Sequence, residues 1–261
     1  MNPERFERLC LEAATHGRTD GANGFGTLAE KRLHAVIKKY LCEDESYHEV
    51  GVAGARFVSD IRIGNDVIEV QTGSFFPMKK KIAYYLEKTD LTVTVVHPIA
   101  VTRWMSWVDP ETTELSPRKK VRGEVPQDLL PELYYLSEHL GNPRLRFQLM
   151  LLEVQDFRVL NGWSKDRKRG SVRYERMPLA LVGEQRFCTP SDFSVFLPEA
   201  LPEHFTVKEF STNSKLRGRK AYSAVRVLAS LGLIEQAEPV GRSMGWRKCI
   251  PKGGHDPLQT L

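Results

Sequence analysis

The sequence predicts an α/β protein: a mixed central sheet flanked by helices, then a basic α+β middle region and a winged helix-turn-helix. Three observations carry this. Amphipathic helical stretches and short β-rich runs share the first half of the chain. The β-branched run Leu91–His97 suits a strand buried on both faces. The final stretch has the order helix, turn, helix, wing.

The elements follow from local pattern. Residues 3–14 place Phe6, Leu9, Cys10 and Ala13 at helical spacing. After a glycine-rich loop, Thr27 opens a second helix, and Glu30 three residues later completes a capping box. Leu28, Leu33, Val36 and Ile37 line one face of that helix. Strands are predicted at 48–52, 56–63 and 66–72, the last two joined by the tight turn Gly64-Asn65. A helix over 77–88 begins with proline in its first turn. Strands at 91–97 and 101–108 follow. Residues 116–126 are basic and loop-like, 129–140 form a helix, and 146–159 pairs with 173–183 through a basic tip carrying Trp163. Helices starting at Thr206 and at 217–218, with a hairpin over 233–250, complete the chain. The implied organisation is 1–115, 116–190 and 191–261.

Composition limits the function. No apolar run approaches membrane-spanning length, and the N-terminus lacks a secretory apolar segment, so a soluble cytoplasmic protein with no membrane partner is expected. Four separated cysteines, with no Cys-x-x-Cys, exclude a zinc ribbon. No His-x-x-x-His pair favours a histidine-bound metal. Net charge is +5 but uneven: residues 1–116 hold 14 basic against 17 acidic residues, and the remainder 24 against 16. A carboxylate-bearing front and a basic back suit a catalytic part joined to an anion-binding part.

The chemistry centres on Asp60-Ile-Arg-Ile-Gly-Asn-Asp-Val-Ile-Glu69-Val-Gln71. The hairpin makes Asp60 and Glu69 cross-strand neighbours, and Glu69 and Gln71 share a face. Clustered carboxylates suit a hard cation such as Mg²⁺, to which the Val70 carbonyl can add an oxygen. The competing reading is that Asp60 and Glu69 are solvated hairpin charges. Glu153-Val-Gln155 repeats the tripeptide without an upstream hairpin Asp and reads as an ordinary strand.

A helix carrying Glu30, a hairpin carrying Asp60, and Glu69 on the following strand resemble the PD-(D/E)XK nuclease superfamily over roughly residues 25–108. The resemblance implies a restriction-endonuclease-like fold and a Mg²⁺-dependent endonuclease, with Mn²⁺ able to substitute. Glu30, Asp60, Glu69 and Gln71 would be its catalytic residues, and Asp60, Glu69 and Val70 its metal ligands. The family's usual lysine is replaced by Gln71, a change seen in some restriction endonucleases of the superfamily. The run Lys79-Lys80-Lys81 can restore the charge, with Lys80 taken as the representative. DNA is the expected substrate, with a ribonuclease or a structure-selective nuclease as the alternative; double-strand cutters of this class often act as homodimers.

The second predicted C-terminal helix presents Arg217, Arg219, Lys220, Tyr222, Ser223 and Arg226, and the wing Arg242 and Arg247. Such residues contact base edges and phosphates and give salt-dependent affinity. Winged helices also mediate protein contacts. The competing function is therefore a non-catalytic DNA-binding regulator on an inactive nuclease fold, with Gln71 in place of lysine as its best support.

Overall fold

The computed structural model describes residues 1–16, 29–52, 54, 56–159 and 172–249. Two helices, α1 (Pro3–His16) and α2 (Ala29–Leu41), precede strands β1 (His48–Gly51), β2 (Val58–Ile63) and β3 (Asp66–Val70). Helix α3 (Lys79–Lys88) leads into the long strand β4 (Thr92–Val108) and the short β5 (Lys119–Val121). Helix α4 (Leu129–Leu133), β6 (Leu145–Val159) and β7 (Val172–Phe187) follow. The chain ends in β8 (His204–Thr206), α5 (Val207–Ser214), α6 (Arg219–Ser230), β9 (Ile234–Val240) and β10 (Ser243–Lys248).

The described strands form two sheets. The larger has the order β1-β2-β3-β4-β6-β7, with β5 on the far part of β4. β1, β2 and β3 pair antiparallel, β3, β4 and β6 run parallel, and β7 returns antiparallel to β6. The hairpin between β2 and β3 closes at Gly64, whose φ of 60° suits the first central position of a type II′ turn. Beta-branched residues alternate faces along β4. Val93 and Val95 pack toward α3 and α4, while Val96 and Ala100 pack toward α1 and α2. Both faces are therefore dry over residues 95–100, which is why that part of the strand is apolar but for His97.

Three differences from the sequence expectation are physical. First, 91–97 and 101–108 are one strand, because Pro98 sits within β4 beside Met150 of a parallel neighbour. A bulge at Val101 absorbs the irregularity. Second, the expected helix over 129–140 is only α4 followed by a 3-10 turn, Tyr134–Leu136. Third, the stretch 116–190 contributes β6 and β7 to the same sheet as β1–β4 of the preceding stretch.

The smaller sheet, β8-β10-β9, packs behind α5 and α6. Thr206 caps α5 and exchanges hydrogen bonds with Glu209, a capping box. Ala221, Ala224, Val225 and Leu228 of α6 join Leu129, Leu130 and Leu133 of α4 in the cluster that covers α3. The C-terminal unit thus shares its core with the large sheet. Among the described residues, no helix is long and apolar enough to cross a membrane.

Candidate functional site

The ladder between β2 and β3 pairs Ile61 with Ile68, so its continuation sets Asp60 against Glu69. At this point side chain replaces backbone: the Asp60 carboxylate accepts the Val70 N–H at 2.7 Å. His34 of α2 reaches the same Asp60 oxygen at 3.2 Å. Burial opposes the Asp60 charge, but the His34 hydrogen bond and charge, the Val70 N–H and Lys81 outweigh it and hold the carboxyl below its usual range.

Glu69 is buried. Lys81 donates to one of its oxygens at 2.5 Å and the Tyr85 hydroxyl to the other at 3.0 Å. Both partners stand on α3 at positions i and i+4, one face of a helix. Desolvation dominates nonetheless, and the Glu69 carboxyl is pushed up to about 7 against the pull of Lys81. Burial and the Glu69 charge both push the Tyr85 hydroxyl up, so it remains a donor.

Beyond β3 the chain crosses the mouth of the site. The Gln71 N–H donates to Val96 O at 2.9 Å, and the Gln71 carbonyl accepts from His97 Nδ1 at 2.6 Å, which fixes the tautomer of this buried ring. The Gln71 amide nitrogen donates to Ser74 O at 2.5 Å. The Phe75 N–H is held by Glu132 of α4 at 2.9 Å. His34, Asp60, Glu69, Val70, Gln71 and Lys81 line a single open cleft of about 620 Å³.

The structure sorts the expected site residues. Asp60, Glu69, Val70 and Gln71 converge on the cleft. The cleft lysine is Lys81, not Lys80, because the phase of α3 turns Lys80 to solvent. Lys79 pairs with Glu138 at 3.1 Å instead. For Glu30 only the backbone is described, at the start of α2; its side chain, Thr27 and the proposed capping box lie outside the described residues, as does the basic tip with Trp163. Glu153 accepts from the Trp104 indole at 2.7 Å, away from the cleft, as an ordinary strand residue.

In α6, Arg219, Tyr222, Ser223 and Arg226 fall on one stripe, with all but the half-buried Ser223 exposed. Lys220 is exposed but tied to Asp128 at 2.8 Å. Arg217 and Arg242 are exposed, and Arg247 pairs with Glu235 across the β9–β10 ladder.

Sequence reasoning missed His34, Tyr85, His97 and Glu132. His34 had a visible signal, since it lies one helical turn after Glu30. Tyr85 had the same relation to Lys81. The other two come from tertiary pairing.

Residues 31–188 match the family described as Domain of unknown function (DUF8091). The chain belongs to this family. The DUF8091 stretch runs from within α2 to just past β7 and contains every residue lining the cleft. The α5–α6 unit with its small sheet lies outside it. No curated protein and no solved structure matches the chain.

Proposed function

We propose that this DUF8091 protein is a metal-dependent endonuclease that hydrolyses phosphodiester bonds in DNA. The observation that carries the reading is the convergence of Asp60, Glu69, Val70 and Lys81 on one cleft, with Gln71 at its mouth. The order of helix, hairpin with Asp, strand with Glu supports the PD-(D/E)XK resemblance over the large sheet. The arrangement β8–α5–α6–β9–β10 supports a winged helix.

Two carboxylates on one cleft match the protein's share of a Mg²⁺ shell, with Glu69 exchanging Lys81 and Tyr85 for the ion. That ion is held by one or two carboxylates, with waters and substrate phosphate completing its oxygen shell. Asp60 and Glu69 would hold it, with the Val70 carbonyl as a further oxygen ligand. When bound, the ion supplies Lewis acidity toward the phosphodiester and lowers the pKa of a water.

The chain's own groups do the rest. His34 and the Val70 N–H keep Asp60 ionised and oriented. Lys81 brings from α3 the cation that residue 71 lacks, and from its place beside Glu69 would offset charge developing on the phosphoryl oxygens. Gln71, with its amide nitrogen engaged by Ser74 O, keeps its side-chain oxygen as an acceptor that orients the attacking water.

The test is incubation of the full chain with supercoiled DNA, linear DNA and RNA in Mg²⁺ or Mn²⁺, beside Asp60→Asn and Glu69→Gln. Metal-dependent strand cleavage that both substitutions abolish is the expected result. Cleavage unchanged in both would remove the site assignment, and RNA cut in preference to DNA would reassign the substrate.

One observation favours a second reading. Both Glu69 oxygens are already satisfied by Lys81 and Tyr85, and among the described residues no group of three or more His, Cys, Asp or Glu is placed to hold a metal. A non-catalytic DNA-binding regulator would carry such a self-satisfied remnant. Tight binding with no cleavage of any substrate supports it.

A further inference from the structure

Three exposed aromatic rings make a ledge that leaves the rim of the cleft. Phe76 is 66% exposed and lies between Ser74 and Pro77, both in the cleft wall. Its ring meets Tyr135 edge-on at 5.6 Å, and Tyr135 meets Tyr134 at 6.5 Å. Tyr135 is 37% and Tyr134 41% exposed. Tyr134 is also a wall of a second groove, of about 570 Å³, shared with Arg226 of α6 and with Met244 and Trp246 of β10. The ledge therefore joins the carboxylate cleft to the exposed cationic stripe of α6.

Exposed aromatic rings cost solvation unless a partner covers them. Charge of both signs surrounds the rings, with cations in excess: Lys79, three residues after Phe76, pairs with Glu138, Lys80 is exposed one residue further, and Arg226 lines the groove with Tyr134, where Glu235 also stands. Protein interfaces are depleted in lysine, whereas rings interleaved with cations suit bases on a phosphate backbone. A fully paired duplex hides its base faces in the stack and has nothing to lay on such rings.

We propose that Phe76, Tyr135 and Tyr134 form a stacking platform for unpaired nucleotides, so that the substrate of this site is single-stranded nucleic acid or a duplex opened beside the cut. This rests on the nuclease reading and narrows it. Sequence tolerance follows, since every base has a face to stack.

The experiment is fluorescence anisotropy with the full chain in EDTA, so that binding is read without cleavage. The probes are a short labelled single strand, an abasic strand with the same number of phosphates, and the matching duplex. Wild type binds the base-bearing strand more tightly than the abasic one. Phe76→Ala and Tyr135→Ala each weaken the base-bearing strand roughly tenfold, leave the abasic strand and the duplex unchanged, and melt like wild type. Phe76→Trp retains the affinity. Equal wild-type affinity for base-bearing and abasic strands overturns the platform, and so do alanine variants that lose duplex and single strand alike. If Phe76→Ala dissociates an oligomer in sedimentation while strand affinity holds, the ledge is a protein contact and the proposal fails. Asp60-dependent cleavage surviving any of these failures leaves the nuclease reading intact. Conversely, base-dependent binding that persists where Asp60→Asn does not alter cleavage removes only the assignment of cleavage to this cleft.

Discussion

Glu69 carries opposing demands on one side chain. Buried beside Lys81 and Tyr85, its carboxyl is raised to about 7 by desolvation, well above the ordinary range near 4.5. A group whose folded pKa exceeds its unfolded one binds more protons when folded. The stability linked to it is therefore full below about pH 4.5 and is lost as pH rises through about 7. Glu69→Gln keeps the neutral form at every pH. Its stability relative to wild type should thus improve between acid and alkaline buffer by on the order of 2 kcal/mol, read from urea melts below about pH 5 and above about pH 8. An unchanged difference between the two buffers would mean Glu69 is ionised without penalty. Under the proposed metal-dependent cleavage, activity would run the other way: cation binding would need the carboxylate, so cleavage should rise with pH through neutrality. Lys81→Met removes the opposing charge and should move that rise to higher pH, whereas Lys80→Met should leave it in place; pH–rate profiles separate the two. The sequence showed a lysine run here but could not choose among its members. Which residue of α3 faces β3 is decided by how Ile82, Tyr85 and Leu86 pack, and that is tertiary information.

At the scale of elements, the parallel pair β4–β6 and its neighbour β7 are pinned by a buried ion cluster. Asp156 of β6 is fully buried, bound by Arg103 of β4 at 2.6 Å and by its cross-strand partner Arg176 of β7 at 2.7 Å. Burial opposes the Asp156 charge, but Arg176 and Arg103 outweigh it and hold the carboxyl low, so its contribution is present at neutral pH and lost only as acid protonates it. Asp156→Asn leaves two guanidinium groups facing each other and should cost about 3–5 kcal/mol in denaturant melts. Gly123 is a second sensitive point. A Cβ there would lie 1.9 Å from the Val101 carbonyl at the β4 bulge, so Gly123→Ala should lower the melting temperature by prying the covering segment from β4. Short-range elements were legible: the Gly64-Asn65 hairpin, the start of α5 at Thr206 and the helix α6 each announce themselves within a few residues. The sheet was less so. The expected strands 91–97 and 101–108 stop either side of Pro98, where an isolated strand loses a ladder bond, but a fifteen-residue partner in β6 carries β4 through it. That 116–190 extends the same sheet depends on pairings some fifty residues apart, which no local pattern encodes.

At the scale of the whole molecule, the sheet that bears the carboxylate cleft and a basic C-terminal unit are built on one continuous core rather than strung on a linker. Helix α4 is the joint. Its Glu132 holds the loop at the cleft mouth, its leucines pack on α6, and the adjacent Asp128 holds Lys220. Removing everything after residue 200 would uncover Leu129, Leu130 and Leu133, so truncation should abolish cooperative unfolding instead of yielding a trimmed, folded sheet. The role of the C-terminal unit is better read with point changes on its exposed face. Arg219, Arg226 and Arg242 are all exposed. Each phosphate contact contributes about 0.9 to the slope of log affinity against log salt on duplex DNA. Replacing all three by alanine should flatten that slope by roughly 2–3 and weaken binding similarly across sequences, with the melt unchanged. Arg247→Ala should have a smaller effect, because Glu235 already engages that side chain. A triple variant with the wild-type slope would show that α6 and its hairpin meet something other than a phosphate backbone. The basic bias of the second half of the chain would then serve solubility and strand pairing alone.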